Sequence, residues 1–417
     1  MFVPLSGTDI TDLEINCVLD VLNSGRLALG PYLEKFETIV KDYVNSTYSV
    51  AVNSGTSALH LILRSLGFKS GDKMIVTPFT FISSANVSLF ENGKPVFIDI
   101  DHKTYNMSTA NLKHFVEVEY QGDVSYFMGV DIFGIPLEWD NIYEILPNEI
   151  KIIEDSCEAL GGEYKNQKLG TFGDAGAFAF YPNKQITTGE GGIVVTDHEE
   201  IYDLCKSMSN QGRGKNGEWL ISERLGYNYR MDEMSAALGY AQMKRINEIS
   251  KKRKQKADNY FELFKNDGRV VLPYIPQEVT QESWFVFVLR LNLEWLSQFL
   301  NIPKWVQDFD IPIRIEGEKN QKEWHNLIKQ LRAILNNLLK KLNNKGVQSK
   351  NYFYPLHLQP FYKKLFGYDE GDFPITELVS SLTVAIPFFS NITFEQQTYV
   401  HKIISDSLEE IKDEASI

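Results

Sequence analysis

The sequence predicts an α/β protein whose mostly parallel sheet is covered by helices on both faces. Two observations carry this reading. From about residue 50, short apolar runs alternate with stretches of helical periodicity. The runs are apolar throughout rather than at every second residue, as strands buried on both faces require. Residues 9–46 hold two helical patterns around Ser24-Gly25-Arg26-Leu27-Ala28-Leu29-Gly30-Pro31, a loop rich in breakers. Residues 49–52 then read as strand, 57–66 as helix, 74–77 as strand, 83–90 as helix and 95–99 as strand. Further strands are expected at 125–130 and 151–154. Two more, at 177–181 and 193–196, flank a loop that carries Lys184 and the turn Gly189-Glu190-Gly191-Gly192.

A long helical stretch covers about 231–265, with Lys251-Lys252-Arg253-Lys254 on its exposed face. The character then changes. Residues 284–289 read as strand, and a segment rich in Asn and Lys runs to about 345. Within it Leu327, Leu331, Ile334, Leu338 and Leu342 mark one amphipathic helix. The expected organisation is a large domain over 1–250, with an N-terminal arm, and a smaller α+β domain over 251–417.

The chain has 417 residues, 43% hydrophobic and 23% charged, with a formal net charge of -13. That balance argues against nucleic acid or an anionic membrane as the main partner, since both select a basic face. Three cysteines without a CxxC pair indicate neither a disulfide framework nor a metal site. No apolar stretch approaches the roughly 20 residues that span a bilayer. The start lacks a basic segment followed by an apolar one, so a soluble, cytoplasmic protein is expected.

In sheets of this kind ligands bind beyond the carboxyl ends of the strands, and the polar residues there carry the chemistry. Asn53-Ser54-Gly55-Thr56-Ser57 opens a helix, where unpaired N–H groups and a partial positive charge suit a phosphate. Gly55 allows close backbone approach, and Ser54 and Thr56 add hydroxyls; taken alone, these residues read first as a plain helix cap. Glu154-Asp155 ends a strand and could serve a metal, a ribose, a ring nitrogen or an ion pair. Thr77-Pro78-Phe79-Thr80-Phe81 brings aromatic rings to the same edge, as core or as a stacking face. With the loop lysine, these are the parts that pyridoxal 5'-phosphate requires.

The ordered motifs resemble the DegT/StrS family of sugar aminotransferases. They are Pro4-Leu5-Ser6, Ser24-Gly25…Gly30-Pro31, Ser54-Gly55-Thr56, Glu154-Asp155-Ser156-Cys157-Glu158-Ala159, Gly189-Glu190-Gly191-Gly192, Asn210-Gln211-Gly212-Arg213, Gly226-Tyr227-Asn228-Tyr229-Arg230-Met231 and His357-Leu358-Gln359-Pro360. The resemblance implies a fold type I pyridoxal-phosphate enzyme with a seven-stranded-type sheet. Lys184 becomes the Schiff-base lysine and proton shuttle, Asp155 the partner of the pyridine nitrogen, and Phe81 the ring that stacks on the cofactor. Ser54, Gly55 and Thr56 would hold the phosphate, with Asn228 reaching the phosphate of a neighbouring subunit, so that a homodimer shares its sites. Arg213, Arg230, Asn351, Tyr352 and His357 fall among substrate contacts. The expected substrate is a nucleotide-activated ketosugar, made into an aminosugar for a surface polysaccharide, glycan or secondary metabolite, with L-glutamate as donor. A cyclitol aminotransferase, a sugar dehydratase and a non-catalytic cofactor-binding regulator are the alternatives.

The chain departs from the family pattern in four places. Ala179 stands where many relatives have a phosphate-binding serine, and Glu158 where Gln or His is usual, so Glu158 is kept as a cofactor-site residue. Lys350-Asn351-Tyr352 lacks the histidine that often precedes the tyrosine. Residues 293–335 look like an inserted segment, which Trp305, Phe309, Ile311 and Ile313 are expected to pack onto the body rather than hold over the crevice.

Overall fold

The computed structural model describes residues 1–214 and 221–415. Strands β1 (Tyr48–Val52), β2 (Lys73–Val76), β3 (Lys94–Phe97), β4 (Tyr126–Val130) and β5 (Lys151–Asp155) belong to one sheet with β8 (Ala175–Ala179) and β9 (Gly192–Thr196). The seven strands lie in the order β1-β9-β8-β5-β4-β2-β3. All neighbours are parallel except β9, which runs antiparallel to both β1 and β8. Short β6 (Glu163–Tyr164) and β7 (Gln167–Lys168) form a ribbon with β11 (Val279–Gln281). A second three-stranded sheet holds β10 (Val270–Val271), β12 (Phe287–Leu291) and β13 (Thr383–Ile386). The expected parallel strands thus appear within a few residues of their apolar runs, because those runs are buried on both faces.

The chain opens with helices α1 (Asp12–Ser24) and α2 (Pro31–Val44). Thr11 and Glu14 close a capping box at the start of α1, and Gly25 at φ 68° ends it. Helices α3 (Gly55–Ser65), α4 (Ser83–Phe90), α5 (Thr109–His114) and α6 (Trp139–Ile145) cross between strands, and α7 (Glu199–Ser209) follows β9. The long helical stretch resolves into α8 (Glu233–Lys244) and α9 (Ile246–Phe264), which meet at Arg245.

The compositional boundary near residue 250 falls inside α9. Its early residues Ile246 and Ile249 pack with Phe36 and Phe180, while Ala257, Tyr260 and Phe264 pack with Phe287 and Leu289 in the C-terminal core. Arg253, expected on the exposed face of this helix, is 2% exposed. It lies seven residues from Ile246 and Tyr260 and four from Ile249 and Ala257, on the buried stripe. The N-terminal arm, expected with the large domain, touches both cores: Leu5 packs against the core of the large sheet, and Val3 enters the C-terminal one. Val3 is fully buried there and bridges to Val347.

The segment 293–335 is not an appended loop. Helices α10 (Leu293–Leu296) and α11 (Lys304–Gln307) lead into the first half of α12 (Glu318–Asn344). Trp295, Val306 and Trp324 are buried in the C-terminal core, with Phe309 and Ile311 packed against it. Trp305 stacks on Trp324, and Phe309 stacks on His102 with ring centres 4.2 Å apart. Ile313 remains 45% exposed and does not act as an anchor. Helices α13 (Pro360–Phe366), α14 (Pro374–Ser380) and α15 (Phe394–Ala415) complete the fold. Among the described residues no helix is long and apolar enough to cross a membrane.

Candidate active site

Four strand ends deliver the side chains. After β1, Ser54 caps α3 by accepting a hydrogen bond from the Ser57 N–H (3.1 Å). Gly55 and Thr56 follow as the first helical residues, whose N–H groups have no partner within the helix. A Cβ at Gly55 would stand 2.7 Å from Cβ of Ala179 and 3.0 Å from Sγ of Cys157, so only glycine lets this turn settle against β8 and β5. Gly192 in β9 is equally constrained, since its Cβ would lie 2.5 Å from the Ser54 carbonyl. The Thr56 hydroxyl meets that of Ser83 at 2.7 Å, putting two hydroxyls beside the helix start.

After β2, the ring of Phe81 is 60% exposed. A phenylalanine following a buried strand would ordinarily be core, so this exposure leaves an apolar face open at the strand-end crevice. Ser84, three residues on, donates its hydroxyl to Oδ2 of Asp155 at 2.6 Å. Oδ1 of Asp155 accepts from the Cys157 N–H at 3.2 Å. Asp155, the last residue of β5, is therefore held with both oxygens engaged and 5% of its surface exposed. Its neighbour Glu154 points the other way, taking the N–H groups of Gly170 and Phe172, each at 2.6 Å.

Lys184 lies in the loop between β8 and β9. Its Nζ is 3.5 Å from Oε1 of Glu158 and 3.9 Å from the centre of the Phe285 ring. The other Glu158 oxygen accepts the Phe133 N–H at 2.9 Å. Burial pushes the Glu158 carboxyl above its usual range, against the pull of Lys184 and of that N–H. Gln185 donates to the Glu158 carbonyl at 2.6 Å and to the Ser283 hydroxyl at 2.7 Å. Arg253 donates to the carbonyls of Trp284 (2.7 Å), Phe285 (2.8 Å) and Asn183 (3.4 Å). Among the described residues it has no carboxylate partner, and burial alone pulls its guanidinium down to about 10.

The remaining expected residues divide into three groups. Tyr352 joins the crevice: its ring lies parallel to that of Phe285 at 6.4 Å, and burial followed by the Glu158 charge pushes its phenol up. Asn228, Arg230 and Arg213 gather around Asn210, which bridges to Asn228 and accepts from Arg230 (2.9 Å) and from the Arg213 N–H (3.2 Å). Arg230 also bridges to Val52, just before the Ser54 turn, while Asn228 faces solvent between Tyr227 and Tyr229. Asn351 and His357 are engaged elsewhere. Asn351 donates to the carbonyls of Ser380 (2.8 Å) and Thr383 (2.9 Å). His357, wholly buried, bonds Glu377 at 2.9 Å, and Glu377 also accepts from Trp324 at 2.7 Å. The structure does not bring these two side chains to Lys184.

The sequence reading missed Ser83, Ser84, Phe133, Phe285 and Arg253. Only Arg253 left a trace, in its spacing from Ile249 and Ala257; the others are ordinary residues whose partners lie far along the chain.

Known proteins match this chain over nearly its whole length. The model of the DegT/DnrJ/EryC1/StrS aminotransferase family matches residues 8–301 and 304–405. An uncharacterized protein, MJ1066, of Methanocaldococcus jannaschii is 33% identical over 420 residues, covering 97% of this chain and 98% of its own. GDP-perosamine synthase of Escherichia coli O157:H7 is 30% identical over 407 residues, covering 97% of this chain and 98% of its own. A solved structure of the putative sugar aminotransferase Spr1654 from Streptococcus pneumoniae, in its PLP form, superposes with a TM-score of 0.83. It is 25% identical, and the match covers 99% of this chain and 100% of that one.

Proposed function

The chain belongs to the DegT/DnrJ/EryC1/StrS aminotransferase family, and from that premise we propose how its residues carry an amino group onto a sugar. It is a pyridoxal 5'-phosphate-dependent sugar aminotransferase. We take the substrate to be a nucleotide-activated ketosugar, as the name of the perosamine synthase relative suggests, and the donor to be glutamate.

One observation carries the reading. A lysine amine, a buried carboxylate and a bare helix start come from separate strand ends to one edge of the sheet. The residues fit the cofactor: the Gly55 turn has no room for a side chain and presents free N–H donors, and Asp155 is fixed by two donors before any ligand arrives. Bound there, the cofactor supplies a carbonyl that takes up the amino group and a ring that spreads the electrons released beside it.

The chain does the rest. The N–H groups of Gly55 and Thr56, with the hydroxyls of Ser54, Thr56 and Ser83, bind the phosphate. Asp155 would hold a proton on the pyridine nitrogen by presenting a fixed negative charge. Phe81 would cover one face of the ring. Lys184 would hold the cofactor through Nζ and serve as the base that takes and returns the substrate's proton. Arg230 and Arg213 supply positive charge for the acidic donor or the sugar diphosphate.

The working unit is a homodimer in this reading. Helix α1 leaves Ile15, Leu19 and Leu22 half exposed, next to half-exposed Leu27 and Leu29, and a second copy covers this face. Asn228 then reaches the partner's phosphate.

Borohydride reduction of the purified yellow protein should bleach it and leave a pyridoxyl group on Lys184, read by peptide mass spectrometry. Lys184→Ala should keep some cofactor and lose transamination by orders of magnitude. A label on any other lysine would overturn the assignment.

A further inference from the structure

We propose that Glu158 is the proton partner of Lys184, taking the proton from Nζ when the amine must act as a nucleophile and returning it afterwards. The inference rests on the reading that Lys184 bonds the cofactor. The step is a simple transfer: the N–H bond of the ammonium breaks, an O–H bond forms at Oε1 of Glu158, and the freed electron pair stays on nitrogen.

The geometry is built for it. Oε1 faces Nζ at 3.5 Å, and only Oε2 is committed, to the Phe133 N–H at 2.9 Å. That N–H belongs to an unusual turn. Phe133 has φ 57° and ψ 17°, a left-handed conformation that bulky residues avoid. Gly134 follows at φ 87°, where a Cβ would lie 1.9 Å from the Ser283 carbonyl oxygen. The Phe133 ring is stacked on Phe353 at 5.6 Å, which pins the turn. One product of this costly arrangement is a donor aimed at a single Glu158 oxygen, leaving the other for Lys184.

The surroundings favour an internal transfer. The Glu158 and Lys184 side chains are 8% and 13% exposed. Losing the ammonium proton to bulk water would leave the Glu158 charge buried with Asp155 and no cation. Passing it to Glu158 removes one charge of each sign. The groups that face Glu158 are Lys184, Asp155, Cys157 and Tyr352. Burial and the Asp155 charge both favour a protonated Glu158 once Lys184 is neutral.

The test uses full-length protein freed of cofactor. With saturating pyridoxal 5'-phosphate, the rate of carbon–nitrogen bond formation is followed by absorbance from about pH 9 to about pH 7 in wild type and Glu158→Gln. The variant must find its free amine by losing a proton to water, and that fraction falls about tenfold per pH unit; internal transfer is indifferent to pH. The ratio of wild-type to variant rate should therefore climb about tenfold per unit as pH falls, and parallel profiles overturn the proposal. In the absence of cofactor and at one fixed pH, acetic anhydride should acetylate Lys184 several-fold faster in Glu158→Gln, because the ammonium has lost its counter-charge. An unchanged acetylation rate also overturns the proposal. If Glu158→Gln does not fold, Glu158→Asp, which withdraws the carboxylate by one methylene, must show the same steepening. A borohydride label on another lysine, with the acetylation rate still raised, would mean that the cofactor assignment failed and not the proton partnership.

Discussion

The Lys184 ammonium stands 3.9 Å from the centre of the Phe285 ring, and a single side chain, Arg253, grips the backbone next to both. Its guanidinium holds the carbonyl just before Lys184 and the carbonyls of Trp284 and Phe285. The loop bearing the amine precedes α9 in the chain and the segment leading into β12 follows it, and this side chain joins them.

Arg253→Met should therefore do two kinds of damage. Two buried carbonyls and a partly buried one lose their donor, which costs roughly 3 kcal/mol of stability by urea unfolding. Displacement of Lys184 should lower kcat by about tenfold or more, since small misplacements of a reacting group are expensive. Arg253→Lys keeps the charge but not the fork, and should fall between the two. A variant as stable as wild type with unchanged kcat would remove Arg253 from the account.

The shared site predicts complementation. Asn228→Asp sets a negative charge against a phosphate, and Lys184→Ala disables the site by another route. In mixed dimers, crossing of Asn228 leaves one doubly damaged site and one with native Lys184 and native Asn228, giving about half the native activity by counting sites. If Asn228 serves its own chain, each site carries a lesion. Mixed dimers shown to form, yet no more active than the parents, would exclude sharing.

A pH dependence follows from Asp99. Burial pushes its carboxyl from an ordinary 3.8 up to about 6, although it caps α14 through the Ile375 and Thr376 N–H groups and the Thr376 hydroxyl. The fold thus favours the protonated form. Its contribution is fully present below the unfolded value and is lost as pH rises through the folded one. Relative to Asp99→Asn, wild type should lose about 3 kcal/mol of stability between about pH 4 and about pH 6, and nothing more above that. Urea melts at stepped pH that stay parallel for the two proteins would contradict this.

What could be read from the sequence followed physical scale. The seven strands were legible because each is a short apolar run with a breaker at its end, and the Gly55 turn because a helix start has a fixed grammar. The places of Asp155, at the end of β5, and of Lys184, in the loop after β8, were legible from the apolar runs beside them. Arg253 was misread because three flanking lysines suggested a solvated face; counting from Ile249 to Ala257 would have put it inside. Asn351 and His357 were read by resemblance, and nothing local told that their hydrogen bonds go to Thr383 and Glu377. The Ser84 hydroxyl on Asp155 spans 71 residues, beyond any pattern in the chain.

The continuity of α9 has a mechanical consequence. A helix of 19 residues whose two halves are embedded in different cores behaves as a strut. Any rocking of the C-terminal part against the sheet must carry the strut along or flex the chain beyond Phe264, because no pivot exists at the change in composition. A protease seeking a severable joint near residue 250 meets helical backbone, so limited digestion should spare that position and the halves should not separate there.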